Sequence, residues 1–122
     1  MCFYTYIKNK SMDKYTKILK ALSDETRLKI VWLLTNIDEK ICVSEIVEVL
    51  EERQYNISRH LRILKDAQLI EEVKEGKWVF YYLTSTNNEF RLLMQKTISA
   101  IPEKDMKKEL TKCKTLLDKR EK

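Results

Sequence analysis

The stretch that decides the fold is residues 44–83, SEIVEVLEERQYNISRHLRILKDAQLIEEVKEGKWVFYYL. In residues 44–52 and 54–66 the apolar side chains lie three and four positions apart, which predicts two short helices separated by a tight break. Further along, aromatic and β-branched residues flank Gly76, the only glycine of the chain. This enrichment predicts a β-hairpin that turns at Glu75 and Gly76. Two short consecutive helices followed by a hairpin predict a helix-turn-helix with a wing.

Helical periodicity continues on both sides of this stretch. On the amino-terminal side it predicts a helix over residues 12–22 and a second that begins after the cap residue Ser23 and ends before a polar connector at 36–40. On the carboxyl-terminal side it predicts helices over residues 89–100 and 103–119. The order is α-α-α-α-β-β-α with an additional C-terminal helix. The predicted fold class is therefore mainly α with a small β-hairpin, a winged helix-turn-helix.

Length and composition exclude several classes of protein. The 122 residues fit one compact domain, and 43% hydrophobic residues can form a core. One glycine excludes Gly-rich phosphate-binding loops, and one histidine excludes zinc sites built on histidine pairs. The longest apolar runs, 30–34 and 79–83, are far shorter than the roughly 18 residues of a membrane span. Because no signal peptide is recognisable, a cytoplasmic location without membrane association and with reduced cysteines is expected.

The distribution of charge points to the partner. The net charge is +5, which favours a polyanion. Residues 53–65 contain four basic residues and no acid, whereas residues 38–52 contain six acids and one lysine. A helix that enters a major groove must lack carboxylates, since phosphates would repel them. The alternative is a basic solvent face that arose by chance. With the wing beside it, the acid-free helix favours double-stranded DNA as the partner.

The candidate DNA-binding residues lie in this helix and at the tip of the wing. Those expected to reach base edges are Gln54, Tyr55, Asn56, Ser58 and Arg59, since Arg, Asn and Gln make bidentate contacts with guanine and adenine. Those expected at the phosphate backbone are His60 and Arg62, and Arg53, which precedes the helix, is a further DNA-binding candidate. At the wing, Lys74 and Lys77 flank Gly76 and are expected to press on backbone or minor groove. The alternative is that the lysines are solvated surface and that the glycine only serves the turn.

Five segments together resemble the ArsR/SmtB-type winged-helix repressors. They are ALSDETRLKI (21–30), ICVSEI (41–46), NISRHL (56–61), LKDAQLI (64–70) and EGKWVFYYL (75–83). The similarity covers about residues 14–84 in one register. It implies a homodimeric repressor that binds an operator and is commonly released by a metal or metalloid ion. It also implies that helices within residues 1–22 and 88–122 of this single domain, 1–122, form the dimer interface.

The sequence departs from the family at the positions where its members bind an inducer. Arsenic- and cadmium-sensing members carry a Cys-x-Cys pair at the start of the third helix, where this chain has Cys42 and Ser44. The helix after the wing lacks the Asp and His ligands of zinc-type members, and the second helix lacks the cysteine of persulfide-responsive ones. As(III) or Cd(II) needs two to four thiolates, so Cys42 would require Cys2 or Cys113 as a partner.

Two other interpretations stay open beside metal sensing. The first is a DNA-binding regulator controlled by thiol oxidation or by a protein partner, or not controlled at all. The second, from another class, is a small thiol enzyme with Cys42 as nucleophile and His60 as base. The enzyme interpretation is the weaker one, because no sequence feature marks an oxyanion site and the expectation for the protein is that it is not an enzyme.

Overall fold

The computed structural model describes the backbone of residues 3–120 and the side chains of residues 12–120. Its elements, in order, are α1 (Phe3–Leu22), α2 (Glu25–Asn36), β1 (Ile41–Cys42), α3 (Val43–Leu50), α4 (Gln54–Asp66), β2 (Ile70–Glu75), β3 (Trp78–Leu83), α5 (Glu89–Ser99), a 3-10 turn (Glu103–Met106) and α6 (Lys107–Arg120). The predicted fold class, mainly helical with a β-hairpin after two short helices, is confirmed.

The sheet has three antiparallel strands in the order β1-β3-β2. β2 and β3 form the predicted hairpin, and Glu75 pairs with Trp78, so the turn consists of Gly76 and Lys77. The turn was predicted one residue earlier. Gly76 has a φ of +64°, the left-handed conformation that glycine adopts without steric cost. β1 was not predicted, because two residues carry no detectable period; Ile41 and Cys42 pair with Tyr81 and Phe80.

Several helix ends differ from the predictions. α1 begins at Phe3 rather than at residue 12, and α6 is preceded by a 3-10 turn. The cap of α2 is Asp24, not Ser23: the Asp24 carboxylate accepts a hydrogen bond from the backbone N–H of Arg27 at 3.0 Å. The Ser23 hydroxyl instead donates to the carbonyl of Lys20. α3 ends at Leu50 because Glu51 has a left-handed backbone, with φ of 56°.

The core is centred on α2. Its residues 30–34 are all buried, and the Trp32 indole donates to the carbonyl of Ile101 at 2.9 Å. α4 contacts α1, α2, α3 and β2, and its Ile57, Leu61 and Leu64 are fully buried in the core that these elements form. α6 packs on α3, and its buried residues are Cys113 and Leu117. The predicted apolar stripe of the last helix therefore faces the core.

The wing turn yields a stability prediction. Gly76→Ala is expected to lower the free energy of unfolding by about 1 kcal/mol, since an L-residue is strained by roughly that amount in the left-handed region. The effect is one of backbone conformation alone, because a Cβ at Gly76 would meet no atom within 4 Å. Gly76→Asn is the matched control and should lose less, because Asn tolerates this conformation. Urea titration checks both, and equal losses would contradict the explanation.

Candidate nucleic-acid interface

α4 has two faces of opposite character. The inward face is apolar and buried, while the outward face presents Gln54, Tyr55, Ser58, Arg59 and Arg62, all exposed. Tyr55 is 78% exposed, unusually high for an aromatic side chain in a helix. The first acidic residue of α4 is Asp66, its last residue. A negatively charged groove can thus approach three turns of helix without meeting a carboxylate.

The turn between α3 and α4 extends the basic surface. Arg53 is exposed and precedes the first residue of α4, and its side chain makes no capping hydrogen bond. Two acids precede it, and both have partners. Glu52 accepts a hydrogen bond from the Thr26 hydroxyl at 2.6 Å, and Glu51 is paired with two lysines of α6, at 2.6 Å from Lys108 and 3.0 Å from Lys112. These pairs lower the pKa of the Glu51 carboxyl to about 2. The turn therefore presents more positive than negative charge.

The wing tip is exposed and carries the predicted lysines. Lys74, Gly76 and Lys77 are all exposed, and the Lys77 ammonium lies 5.3 Å from the centre of the Trp78 ring. The neighbouring Glu75 carboxylate forms a salt bridge with Lys40, the residue that precedes β1. With that acid paired, Lys74 and Lys77 give the exposed tip a positive charge.

A salt bridge also joins α4 to the wing. Glu72 of β2 pairs with Lys65 of α4 and accepts a hydrogen bond from the Tyr81 hydroxyl at 3.2 Å. The Lys65 ammonium holds the pKa of the Glu72 carboxyl below its usual range. Burial, followed by the Glu72 charge, raises the pKa of Tyr81 to about 12. This network fixes the hairpin against the end of α4.

His60 does not lie on the outward face of α4, whereas the prediction that it approaches phosphates requires an exposed ring. Its ring is 6% exposed, Nδ1 lies 3.0 Å from an Arg27 guanidinium nitrogen, and the Asp24 carboxylate is 3.8 Å away. The reason is helical geometry, because position 60 is three residues after Ile57 and four before Leu64, which are both buried. Asn56 is half-buried. The remaining predicted DNA-binding residues are exposed as expected.

Two arginines that the sequence interpretation did not single out hold α4 in place. One is Arg27, described above. The other is Arg91 of α5, which donates to the carbonyls of Ala67 and Gln68 at 3.2 and 2.6 Å, just beyond the end of α4. Arg27 lies inside the first of the five segments that resemble the repressor family, which was a usable signal. For Arg91 the sequence offered none.

The two described cysteines, Cys42 and Cys113, have different surroundings. Cys42 precedes α3, where its N–H donates to Glu45 at 2.9 Å and its thiol lies 3.2 Å from the Ser44 hydroxyl. Glu45 is in turn paired with Arg120 of α6. Cys113 is 1% exposed, and burial raises its pKa to about 11. Cys2 lies outside the described residues.

Neither proposed thiol chemistry is assembled in the part of the chain that the structure describes. Within it, no three His, Cys, Asp or Glu side chains are grouped so as to hold a metal ion. Cys42 lines a pocket of about 390 Å³ together with Trp78, Phe80 and Arg120. His60, the base of the thiol-enzyme interpretation, has Arg27 and Asp24 as its partners, whereas the partner of the Cys42 thiol is Ser44.

α1 and α5 carry exposed apolar side chains. The ring of Tyr15 packs edge-on against that of Phe90 with centroids 5.0 Å apart, which joins the two helices. Beside this contact, large hydrophobic side chains are about half exposed: Met12, Leu19, Leu92 and Leu93. Exposed hydrophobic side chains that form one patch are typical of an interaction surface.

Among the described residues, no helix combines the length and the apolarity that crossing a membrane requires.

A helix-turn-helix, an outward basic helix and a hairpin wing define a DNA-binding module, and comparison with known proteins agrees. Residues 22–73 match a family model described as a helix-turn-helix domain. An HTH-type transcriptional regulator of Methanocaldococcus jannaschii is 45% identical over 75 residues, which cover 59% of this chain and 83% of that protein. The arsenical resistance operon repressor of Bacillus subtilis is 40% identical over 76 residues, covering 62% and 71%.

Solved structures give the same class. Reduced HlyU from Vibrio cholerae superposes with a TM-score of 0.62 at 33% identity, covering 75% of this chain and 90% of that one. A homodimeric winged helix-turn-helix domain from Mycobacterium bovis, described as a possible ArsR-family regulator, has a TM-score of 0.65 at 22% identity, covering 81% and 87%, and shows the shared fold. The chain belongs to the ArsR-type family of winged helix-turn-helix, DNA-binding transcriptional regulators.

Proposed function

We propose that the protein is a homodimeric cytoplasmic repressor that binds operator DNA with α4 in the major groove and the hairpin on the adjacent backbone or minor groove. The observation that carries this proposal is the outward face of α4, which is exposed, basic and free of carboxylates before Asp66. A recognition helix needs these properties, because base-edge contacts require exposed donors while phosphates repel acids.

Within this arrangement the side chains divide into two groups. Gln54, Ser58 and Arg59 lie on one exposed side of the amino-terminal half of α4, and they supply the hydrogen bonds that read base edges. The aromatic ring of Tyr55 is suited to apolar contact with a thymine methyl group. Arg53, Arg62, Lys74 and Lys77 supply charge to the phosphates, which sets affinity and position rather than sequence preference.

The homodimer follows from the apolar surface of α1 and α5. One recognition helix reads only one half-site, and helix-turn-helix regulators gain affinity by pairing two of them. The exposed leucines of α1 and α5 lie on the helices that the family resemblance assigns to dimerisation, within residues 1–22 and 88–122. We propose that a second copy covers Leu19, Leu92 and Leu93.

Two substitutions test the DNA arrangement. Arg59→Ala is expected to weaken operator binding by about tenfold or more and to relax preference at one base pair, since a base-reading arginine contributes about 1–3 kcal/mol. Lys77→Ala is expected to weaken binding to all sequences alike. It should also reduce the salt slope, the steepness with which the logarithm of affinity falls with the logarithm of salt concentration, by about 1. Fluorescence anisotropy over a salt series, with the promoter fragment and a scrambled duplex, measures both effects.

Lys114→Ala is the matched control for the DNA arrangement, because it removes an exposed charge of α6 that lies in neither α4 nor the wing. It should leave affinity and base preference unchanged. If Arg59→Ala and Lys77→Ala bind the operator like the parent, the assignment of α4 and the wing to DNA is wrong.

The dimer proposal has its own test. Leu93→Glu is expected to convert the dimer to a monomer, because it places a charge on a surface that association would desolvate. Ala100→Glu adds the same charge at the exposed end of α5 and should leave the dimer intact. Sedimentation velocity measures the oligomeric state. A dimer that survives Leu93→Glu would place the interface elsewhere.

For the inducer, we propose a thiophilic ion such as As(III) or Cd(II) that acts through Cys42. Support comes from the position of Cys42 immediately before α3, and from the similarity to a repressor named for arsenical resistance. Cys113 is the one other described thiol, and it lies in α6, which packs on α3. Regulation through thiol oxidation or a protein partner is the alternative that the titration below separates from it.

The titration adds As(III) or Cd(II) to the complex of protein and operator. Operator affinity is expected to fall by about tenfold or more, a typical coupling between two sites. Cys42→Ser should abolish the response while preserving the fold, because Ser is a favourable residue before a helix. Cys113→Ser reports whether the thiol of α6 takes part. No release of the parent by either ion would remove the ion proposal and leave regulation to thiol oxidation or a partner.

A further inference from the structure

The guanidinium of Arg27, in the first turn of α2, joins three helices. Its Nε donates to the carbonyl of Ala21 at 2.6 Å, and Nη2 donates to that of Lys20 at 3.4 Å, both in the last turn of α1. The third nitrogen, Nη1, lies 3.0 Å from Nδ1 of His60 in the middle of α4. One side chain therefore connects the end of α1 to the recognition helix.

This contact determines the tautomer of the His60 imidazole. A guanidinium has only donors, so Nδ1 of His60 must accept, and the ring proton resides on Nε2. Burial of the ring lowers its pKa, and the positive charges of Arg59 and Arg27 act in the same direction. The carboxylates of Asp24 and Glu52 oppose this shift. Since the net direction is downward, His60 is neutral near pH 7.

The hydrogen bond between Arg27 and His60 gives α4 a directional constraint, which its apolar contacts do not provide. Ile57, Leu61 and Leu64 attach the helix to the core, but hydrophobic contact is non-directional and permits small rotations and slides. A hydrogen bond weakens steeply with distance and angle, so the pair of Arg27 and His60 restricts those movements. Base reading requires side chains to be placed within about 0.5 Å, so the restriction bears directly on operator binding.

We propose that Arg27 and His60 are positioning residues for operator binding, such that the neutral imidazole holds α4 in its reading orientation and protonation of Nδ1 in acid weakens the complex. The inference rests on the proposed function. Protonation removes the acceptor and places a second cation against Arg27. The expected direction is opposite to the ordinary one, because acid normally strengthens the binding of a protein to a polyanion.

Operator affinity of the full-length protein at pH 7.5 and pH 5.5, at constant ionic strength, tests the inference. The parent is expected to bind about tenfold more weakly at pH 5.5, equivalent to about 1.4 kcal/mol. His60→Asn keeps an acceptor, Oδ1, near the position of Nδ1 and does not titrate, so it should bind like the parent at pH 7.5 and lose the acid sensitivity. His60 is the only histidine of the chain, and the His60→Asn variant separates its titration from that of the N-terminal amine.

Arg27→Gln is expected to weaken binding about tenfold at pH 7.5 without changing the salt slope, because a residue that only positions α4 releases no counterions. Arg27→Lys is the second variant if the first does not fold, and it should also weaken binding, since an ammonium lacks the planar fork that reaches three acceptors. A salt slope reduced by about 1 would make Arg27 a phosphate contact and overturn the inference.

Unfolding provides a measurement that needs no operator. Between pH 7 and pH 5 the unfolded chain binds more protons at position 60 than the folded one, because the folded pKa is the lower. The free energy of unfolding should therefore decrease as the pH falls, and His60→Asn should reduce that slope. A parent that binds no operator contradicts the proposed function. A parent that binds, with variants indistinguishable from it in affinity, pH profile and unfolding, overturns the positioning role.

Discussion

The interface that the rest of the structure depends on is the contact between one face of α4 and the core formed by α1, α2, α3 and β2. Ile57, Leu61 and Leu64 have no exposed surface, and burying each side chain of this size contributes about 1.5–3 kcal/mol. Since the helical period is 3.6 residues, fixing the inward face also fixes the outward one. The side chains of Ser58, Arg59 and Arg62 are exposed because their neighbours are buried. Hydrophobic packing thus orients the polar surface assigned to DNA.

α2 connects this surface to the rest of the molecule. Its residues 30–34 are buried on all sides, and polar side chains at each end hold other helices. Arg27 reaches α1 and α4 at one end, while Trp32 donates to Ile101, beyond the end of α5. Arg91 adds a direct link from α5 to the end of α4. The helices assigned to the dimer and the helix assigned to DNA are therefore held by directional contacts as well as by apolar ones.

This organisation explains what could be predicted from the sequence. The bounds of α4 were predicted correctly, because an uninterrupted apolar period with a clear break before it is a local property. The strand β1 exists only because Ile41 and Cys42 pair with β3, which no local pattern records. His60 was misplaced for a related reason. Its imidazole is polar, so it was assigned to the polar face, but its spacing places it among buried neighbours, where Arg27 satisfies it.

The positions of the cysteines relate the proposed ion response to the packing of α6 on α3. Cys113 is protonated near neutral pH, with a pKa of about 11, and it is buried where α6 packs on α3. An ion that recruited it as a thiolate would have to overcome that burial, which requires α6 to move away from α3. The pairs of Arg120 with Glu45 and of Lys108 with Glu51 would break with it. Glu51 begins the turn that leads from α3 into α4, so such a movement would act on the segment that connects to the helix assigned to DNA. An ion bound by Cys42 without Cys113, with Cys2 as the second thiolate, would not require α6 to move. For that reason the response of Cys113→Ser distinguishes a site at the start of α3 from one that displaces α6.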